Sequence, residues 1–302
     1  MLRKILKGAL WALLAVILYF AYQTWSHWDT IQRVFLGGVK VYETTPPKLP
    51  AEIKRPAVLV FSKTNAYRHE EAIPAADAML KKLAEDSGWG YFQTENGATF
   101  SPAILSRFDA IVFNNTSGDV FTPDQREAFK RFVENGGGWV GIHAAGDNSH
   151  DAWAWYVDRV IGTHFIGHPM SPQFQQALMR VEDRTHPATI HLAPALHRTD
   201  EWYSFDKSPR GIPGLHVLAT LDESTYVQKG PFGQELSMGA DHPIAWWRCV
   251  GQGRALYTAG GHTAASFSEP AYSRLVAGAV RWALKLDGEG CSSNATASGQ
   301  AK

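Results

Sequence analysis

Cysteine is the scarcest reactive chemistry in this chain: Cys249 and Cys291 are the two thiols in 302 residues. One falls in a strand-like run and the other in a polar tail, a placement that argues against a disulfide framework or a cysteine-based metal site. Net charge is missing as well. The 29 basic residues balance 29 acidic ones, so nothing draws the chain to nucleic acid. No internal repeat is present, which sets aside solenoids and propellers. No small-x-small cleavage site follows the one long apolar run. What remains is a chain 45% hydrophobic and 12% aromatic, long enough for a substantial core. Its 11 Trp and 12 His stand out. Trp fills cores and also stacks on sugar rings, while His ligates metals and moves protons.

At the amino terminus Arg3, Lys4 and Lys7 precede an apolar run from Gly8 to Tyr22, which Thr24 and Trp25 extend. That length approaches the roughly 17 or 18 residues of the shortest membrane helices. Residues 1–28 are therefore predicted as an anchor that enters the membrane through residues 8–25, with Tyr19, Tyr22, Trp25 and Trp28 as an interfacial belt. A cleaved signal peptide is the alternative. The basic flank puts the amino terminus in the cytoplasm and the rest of a single-pass protein on the periplasmic or extracytoplasmic side. Residues 29–56 read as a juxtamembrane segment and Pro-rich linker, 57–287 as the domain, and 288–302 as a disordered Gly/Ser/Ala-rich tail.

Short apolar strands alternate with helices from residue 57 onward. Strands are expected at Ala57–Phe61, Trp89–Thr94, Asp109–Asn114 and Trp139–His143. Helices are expected at Ala72–Asp86, closed by Gly88, and between Thr122 and Gly136, where Thr122, Pro123 and Gln125 spell a capping box. That alternation predicts a doubly wound α/β fold around a mostly parallel sheet. After residue 170 the helices vanish. Gln175–Glu182, His216–Leu221, Ile244–Val250 and Ala255–Ala259 should add antiparallel strands, and Pro270–Leu286 a closing helix.

Ligands gather at the carboxyl ends of such strands. The loops after the first, third and fourth strands carry His69, Asn115 and His143, and they should open on one edge. His143 occupies a tight strand-ending turn in GGGWVGIHAAGD, expected to expose its side chain, with Asp147 close behind. The second half must cover this edge. Its polar and aromatic segments supply His164, His168, Asp200, Glu201, Trp202, Asp241, His242, Trp246 and His262, with Trp155 a further stacking candidate. Asp200 and Glu201 are adjacent, so on an extended segment only one of them faces a common pocket.

The tract GGGWVGIHAAGD, together with FSKTNAYRHE, TPDQREAFKRFVENGG, HPAT at 186–189, TDEWY, MGADHPIAW and YTAGGHT, resembles the trehalose-utilisation (ThuA-like) family over about Ala57 to Leu286. The resemblance implies a flavodoxin-like sheet of the class I glutamine amidotransferase-like superfamily and a role in disaccharide use through keto-sugars. Where those amidotransferases carry a Gly-Ile-Cys nucleophile, this chain has Gly141-Ile142-His143. Thioester chemistry is thereby lost, and the chain is not expected to be a glutamine amidotransferase. The expected reaction is isomerisation or cleavage next to a sugar carbonyl. His143, Glu201 and His69 are the catalytic candidates, while Asn115, Asp147, Trp155, His168, Trp202, Asp241, His242, Trp246 and His262 would bind substrate. A divalent metal such as zinc would take His143, His242 and His262, and a metal-free site could use the same histidines for proton transfer. A non-catalytic carbohydrate-binding or partner module is the rival reading.

Overall fold

The computed structural model describes residues 2–291. Two helices come first, α1 (Leu2–Ser26) and α2 (Trp28–Phe35). The domain then runs β1 (Ala57–Phe61), α3 (Ala72–Ser87), β2 (Gly90–Thr94), α4 (Pro102–Leu105), β3 (Ala110–Asn114), α5 (Pro123–Glu134) and β4 (Gly138–Ile142). After a short turn, α6 (Ala154–Tyr156), come β5 (Phe165–Gly167), β6 (Phe174–Val181), β7 (Ala195–Glu201), β8 (Ser204–Phe205), β9 (Leu215–Asp222), β10 (Pro243–Val250) and β11 (Gly253–Thr258). Helices α7 (Ala264–Ser268) and α8 (Pro270–Ala283) close it.

Nine strands form one sheet in the order β2-β1-β3-β4-β11-β10-β9-β6-β7. The first five are parallel, in the flavodoxin-like arrangement, and the remaining pairings are antiparallel. Every residue of β1, β3 and β4 is buried, which explains their unbroken apolar runs: central parallel strands are covered on both faces. The capping box of α5 is present, Thr122 Oγ1 accepting from the Gln125 amide and Gln125 Oε1 from the Thr122 amide. α3 ends where Gly88 turns left-handed.

Strand β7 had no clear sequence signal, because its residues ALHRTDE are polar and it is an edge strand. Four antiparallel steps separate it from β11, so its carboxyl end points the same way as those of the parallel strands. On a flat sheet it would lie about 19 Å away, at about 4.8 Å per strand. The sheet instead curls. Register shifts between β9 and β10 at Pro243, Ala245 and Trp246 supply a bend, since irregular pairing increases local twist. The far edge is tied back by Arg198, whose guanidinium lies 4.3 Å from the Tyr272 ring centre and bonds Glu269 at 2.8 Å.

Residues 36–45, polar and Pro-bounded, strap across the loop after β1. Arg33 donates to the Thr64 carbonyl at 2.8 Å, and the Val39 amide to Asn65 O at 2.7 Å. The buried Lys63 ammonium reaches Val41 O at 2.6 Å and the Glu43 carboxylate at 2.7 Å. The sequence assigned these residues to the juxtamembrane segment and the start of the Pro-rich linker; the Lys63–Glu43 ion pair fastens them to the domain.

Cys249 and Cys291 form a disulfide, contrary to the expectation that none exists. The reason is tertiary: α8 returns the chain beside β10, so a cysteine 42 residues away in sequence meets it. Residues 288–291, assigned to the tail, lie against the domain, with Trp282 Nε1 donating to Glu289 O at 3.2 Å. The rest of that tail is outside the described residues. α8 stops at Ala283, short of Leu286, where Lys285 adopts φ 62°.

Candidate functional site

Two strand ends adopt the same unusual backbone. Asn115 after β3 has φ 51° and His143 after β4 has φ 50°. A left-handed non-glycine residue costs about 1–2 kcal/mol, and the turn projects each side chain onto the carboxyl edge of the sheet. The expectation that this turn exposes His143 is wrong. Its ring is fully buried, lying over Tyr203 at a centroid distance of 4.0 Å and edge-on to His69 at 4.7 Å. Nδ1 lies 2.7 Å from the Ala259 carbonyl, to which it donates, and this commits the ring's one neutral-state proton.

His262 follows β11. The buried Asp200 carboxylate accepts from the amides of Gly261 at 2.8 Å and His262 at 3.1 Å, and from Ser266 Oγ at 3.0 Å. Gly261 has φ 108°, and a Cβ there would fall 2.7 Å from the Tyr272 hydroxyl, so only glycine fits. Glu201 ends β7 and points the opposite way from Asp200, as alternation on a strand requires. Its Oε2 lies 3.0 Å from His262 Nδ1 and 3.3 Å from His143 Nε2. Its Oε1 accepts from Gln173 Nε2 at 2.6 Å and faces His168 Nδ1 at 3.1 Å. His69, buried in the loop after β1, completes the group. One ligating atom from each of His69, His143, Glu201 and His262 lies within 4.8 Å of the others.

Electrostatics separates these groups. Burial, with His143 and His262 beside it, drives His69 well below the usual imidazole range. Burial also opposes charge on His143, yet the Glu201 carboxylate outweighs it and the net shift is upward. Glu201 would rise through burial, but hydrogen bonds from His143 and His262 hold it far below the carboxylate range. Burial lowers His168, and Glu201 only partly offsets that.

The donor geometry carries a further demand. With Nδ1 of His143 spent on Ala259, Nε2 donates to Glu201 only when the ring carries a second proton; in the neutral ring it presents a lone pair to that carboxylate oxygen and to His262 Nδ1, 3.0 Å away. Lone pairs at such distances repel unless a second proton or a cation sits among them. His69 Nδ1 is buried without a partner, and so is Asn115 Oδ1. The residues therefore suit a divalent ion: three imidazoles and a carboxylate, one imidazole oriented by a backbone carbonyl.

Residues 57–283 match the sequence model of the ThuA family, trehalose utilisation. The chain belongs to that family. A ThuA-like protein from Bacteroides uniformis is similar in structure, with a TM-score of 0.66 at 28% identity over 82% of this chain and 98% of that one. A ThuA-like protein from Parabacteroides merdae shares the fold at a TM-score of 0.54 and 17% identity, over 77% and 90% of the two chains. Among curated proteins none matches.

Of the residues expected at the site, this ThuA domain brings together His69, His143, His168, Glu201 and His262, with Asn115 beneath them donating to Gly261 O at 3.4 Å. Asp147 stays next to the turn but spends its carboxylate on the Ser149 amide at 2.9 Å. The others lie elsewhere. His242 is fully buried, with Nδ1 on Glu223 at 2.7 Å and Nε2 on Tyr203 O at 2.8 Å, so neither nitrogen is free to ligate with His143 and His262. Asp241 pairs with Arg210 near the surface at 2.8 Å. Trp202 and Trp246 are core residues whose indole N–H groups donate to Gln175 O and Ile161 O, both occupied and both dry. Trp155 packs near Phe129 of α5. His164 pairs with Asp151 instead of joining His168. Sequence reasoning placed Tyr203 only within the covering segment Asp200–Tyr203, and missed Asp200 as the loop's fastening and Gln173. Nothing in the sequence marks Gln173.

Proposed function

We propose that this ThuA-family protein is a membrane-anchored enzyme acting on a keto-sugar, through a divalent metal held by His69, His143, Glu201 and His262. The carrying observation is the His143 ring. In the neutral ring its one proton is committed to Ala259 O, and Nε2 then faces Glu201 Oε2 and His262 Nδ1 within 3.3 Å, an arrangement that a cation at Nε2 would satisfy. Imidazole and carboxylate donors favour zinc or a similar borderline ion. When bound, such an ion would polarise the sugar carbonyl as a Lewis acid.

His168 is the residue best suited to take a proton. Its Nδ1 faces Glu201 Oε1 and Pro169 O, each at 3.1 Å, which leaves the Nε2 lone pair free, and its lowered pKa keeps it neutral at pH 7. Removing the proton from the carbon next to the carbonyl yields an enolate. Returning it to the former carbonyl carbon, as the proton of the adjacent hydroxyl passes to the former carbonyl oxygen, isomerises the sugar; expelling a leaving group from the carbon on the other side of the deprotonated one, with His168 giving the proton to that group, cleaves it. Gln173 keeps Glu201 oriented throughout. Glutamine hydrolysis through a thioester is incompatible with a chain whose two cysteines are joined to each other.

Location outside the cytoplasm rests on two features. Arg3–Ser26 is a helix long and apolar enough to cross a membrane, with none of it buried against the domain. The disulfide suits an oxidising compartment. Metal analysis of protein purified without chelators should find about one ion per chain, and chelation should stop consumption of 3-keto-glucosides. Full turnover by metal-free protein would refute the metal centre. A mature chain lacking residues 1–28 would refute the anchor.

A further inference from the structure

The tryptophans expected to stack on sugar are buried or remote, which leaves open what receives the ring. Among the described residues of the domain, three large aromatic side chains are exposed: Tyr67, Phe174 and Phe232. Two of these pack on the same imidazole at the centre. Tyr67 lies 6.4 Å from the His262 ring, centroid to centroid, and Phe174 lies 5.1 Å from it. Tyr67 also meets His69 edge-on at 4.9 Å. Both keep more than 40% of their surface in water, while the His262 side chain between them and Glu201 keeps only 11%.

Single exposed aromatics such as Phe232 are ordinary, but two that pack on the same imidazole beside a polar centre form a contiguous surface, which suits a ring with an apolar face and a hydroxylated edge. The hydroxyls would find partners close by. Gln173 and His168 flank Glu201, and the His168 side chain is 26% exposed. The polar groups orient and the aromatic faces take the C–H surface.

We propose that Tyr67 and Phe174 form a pyranose-binding subsite at the mouth of the His/Glu centre, so that this protein selects cyclic sugars over open-chain carbonyl compounds. The inference rests on the keto-sugar reading for the position of the reacting carbon, but the platform itself is a binding property. Phe232, on a hairpin tip with φ 55°, is the exposed aromatic that should not matter.

The test is calorimetric titration of the full-length protein in detergent with methyl glucopyranoside and its 3-keto form, against the acyclic compounds sorbitol and dihydroxyacetone. Metal content is measured on the same samples. Tyr67→Ala and Phe174→Ala should each weaken pyranoside binding about tenfold, the loss expected for one aromatic contact. They should leave acyclic probes and metal content unchanged. Tyr67→Phe and Phe174→Tyr should restore binding, and Phe232→Ala should behave as wild type. Pyranoside binding insensitive to both alanine variants would overturn the subsite. So would a metal-loaded wild type that binds sorbitol or dihydroxyacetone but no pyranoside, and that result would leave the metal centre standing. Pyranoside binding that depends on both rings in metal-free protein would support the subsite independently of the metal.

Discussion

Asp200 and Glu201 are neighbours whose replacement should fail for different reasons. Asp200→Asn keeps the shape and exchanges one acceptor oxygen for an amide that donates. The native carboxylate takes the amides of Glu201, Gly261 and His262 and the Ser266 hydroxyl, all at 2.8–3.1 Å, and sits beside Arg198 at 3.3 Å. In the variant at least one buried backbone donor faces another donor, and Arg198 loses half its anionic surroundings. An unsatisfied buried donor costs about 1–3 kcal/mol, and breaking a buried ion pair about 3–5 kcal/mol. Arg198 keeps Glu269, so a loss of about 3–4 kcal/mol is expected for Asp200→Asn. Because the same carboxylate fixes the loop that carries His262, metal retention should fall with it.

Glu201→Gln should also destabilise, by about 3–5 kcal/mol, because it removes the buried charge that His143 and His262 hold in place, and metal content and turnover should be abolished. Urea titration of the full chain, followed by circular dichroism, measures the first quantity and elemental analysis the second. Asp200→Asn within 1 kcal/mol of wild type would refute the argument that this carboxylate staples the curled edge of the sheet to the β11 loop.

Acid should destabilise the fold through His186, which stacks near Trp247 and Trp282 and is pushed by burial to about 4. Its contribution is present above pH 6.5 and is lost as pH falls toward 4, by up to about 3 kcal/mol, and His186→Phe should flatten that part of the pH–stability curve. Double replacement of Cys249 and Cys291 by serine should cost about 4 kcal/mol from the freed 42-residue loop, measured by urea midpoint, with ligand binding retained. Lys63→Met should cost about 3–5 kcal/mol by leaving Glu43 without its buried partner, and limited proteolysis should then cut within 36–45; resistance to cleavage would refute the strap.

The parallel half was legible because its signals are local. Buried strands read as apolar runs, and caps such as Thr122–Gln125 and Gly88 sit within three residues of the ends they mark. Loop positions followed from topology, so His69, Asn115 and His143 could be placed on one edge before any coordinates. The antiparallel half hid its contribution. Whether Trp246 fills a core or lines a pocket depends on which face of β10 meets Tyr257, and periodicity does not report that. His242 looked equivalent to His262, since both adjoin a strand end. What distinguishes them is a carboxylate, Glu223, that claims one ring and not the other.

The division of labour between the two halves bears on what the centre can do. The donors come from positions 69, 143, 201 and 262, each on a separate loop or strand end, which is why no short spacing motif betrays them. The parallel strands deliver three imidazoles, all neutral as ligands. Alone they would leave a divalent ion with its full charge in a buried, low-dielectric site, and a protonated His143 in the empty site without a counter-charge. The antiparallel extension returns the single carboxylate. Its charge would balance a protonated His143 in the empty site and would halve the net charge of an ion bound there. The curl of the sheet at β9–β10 is thus a requirement of the site: with β7 about 19 Å away on a flat sheet, the histidines would converge with nothing to balance them.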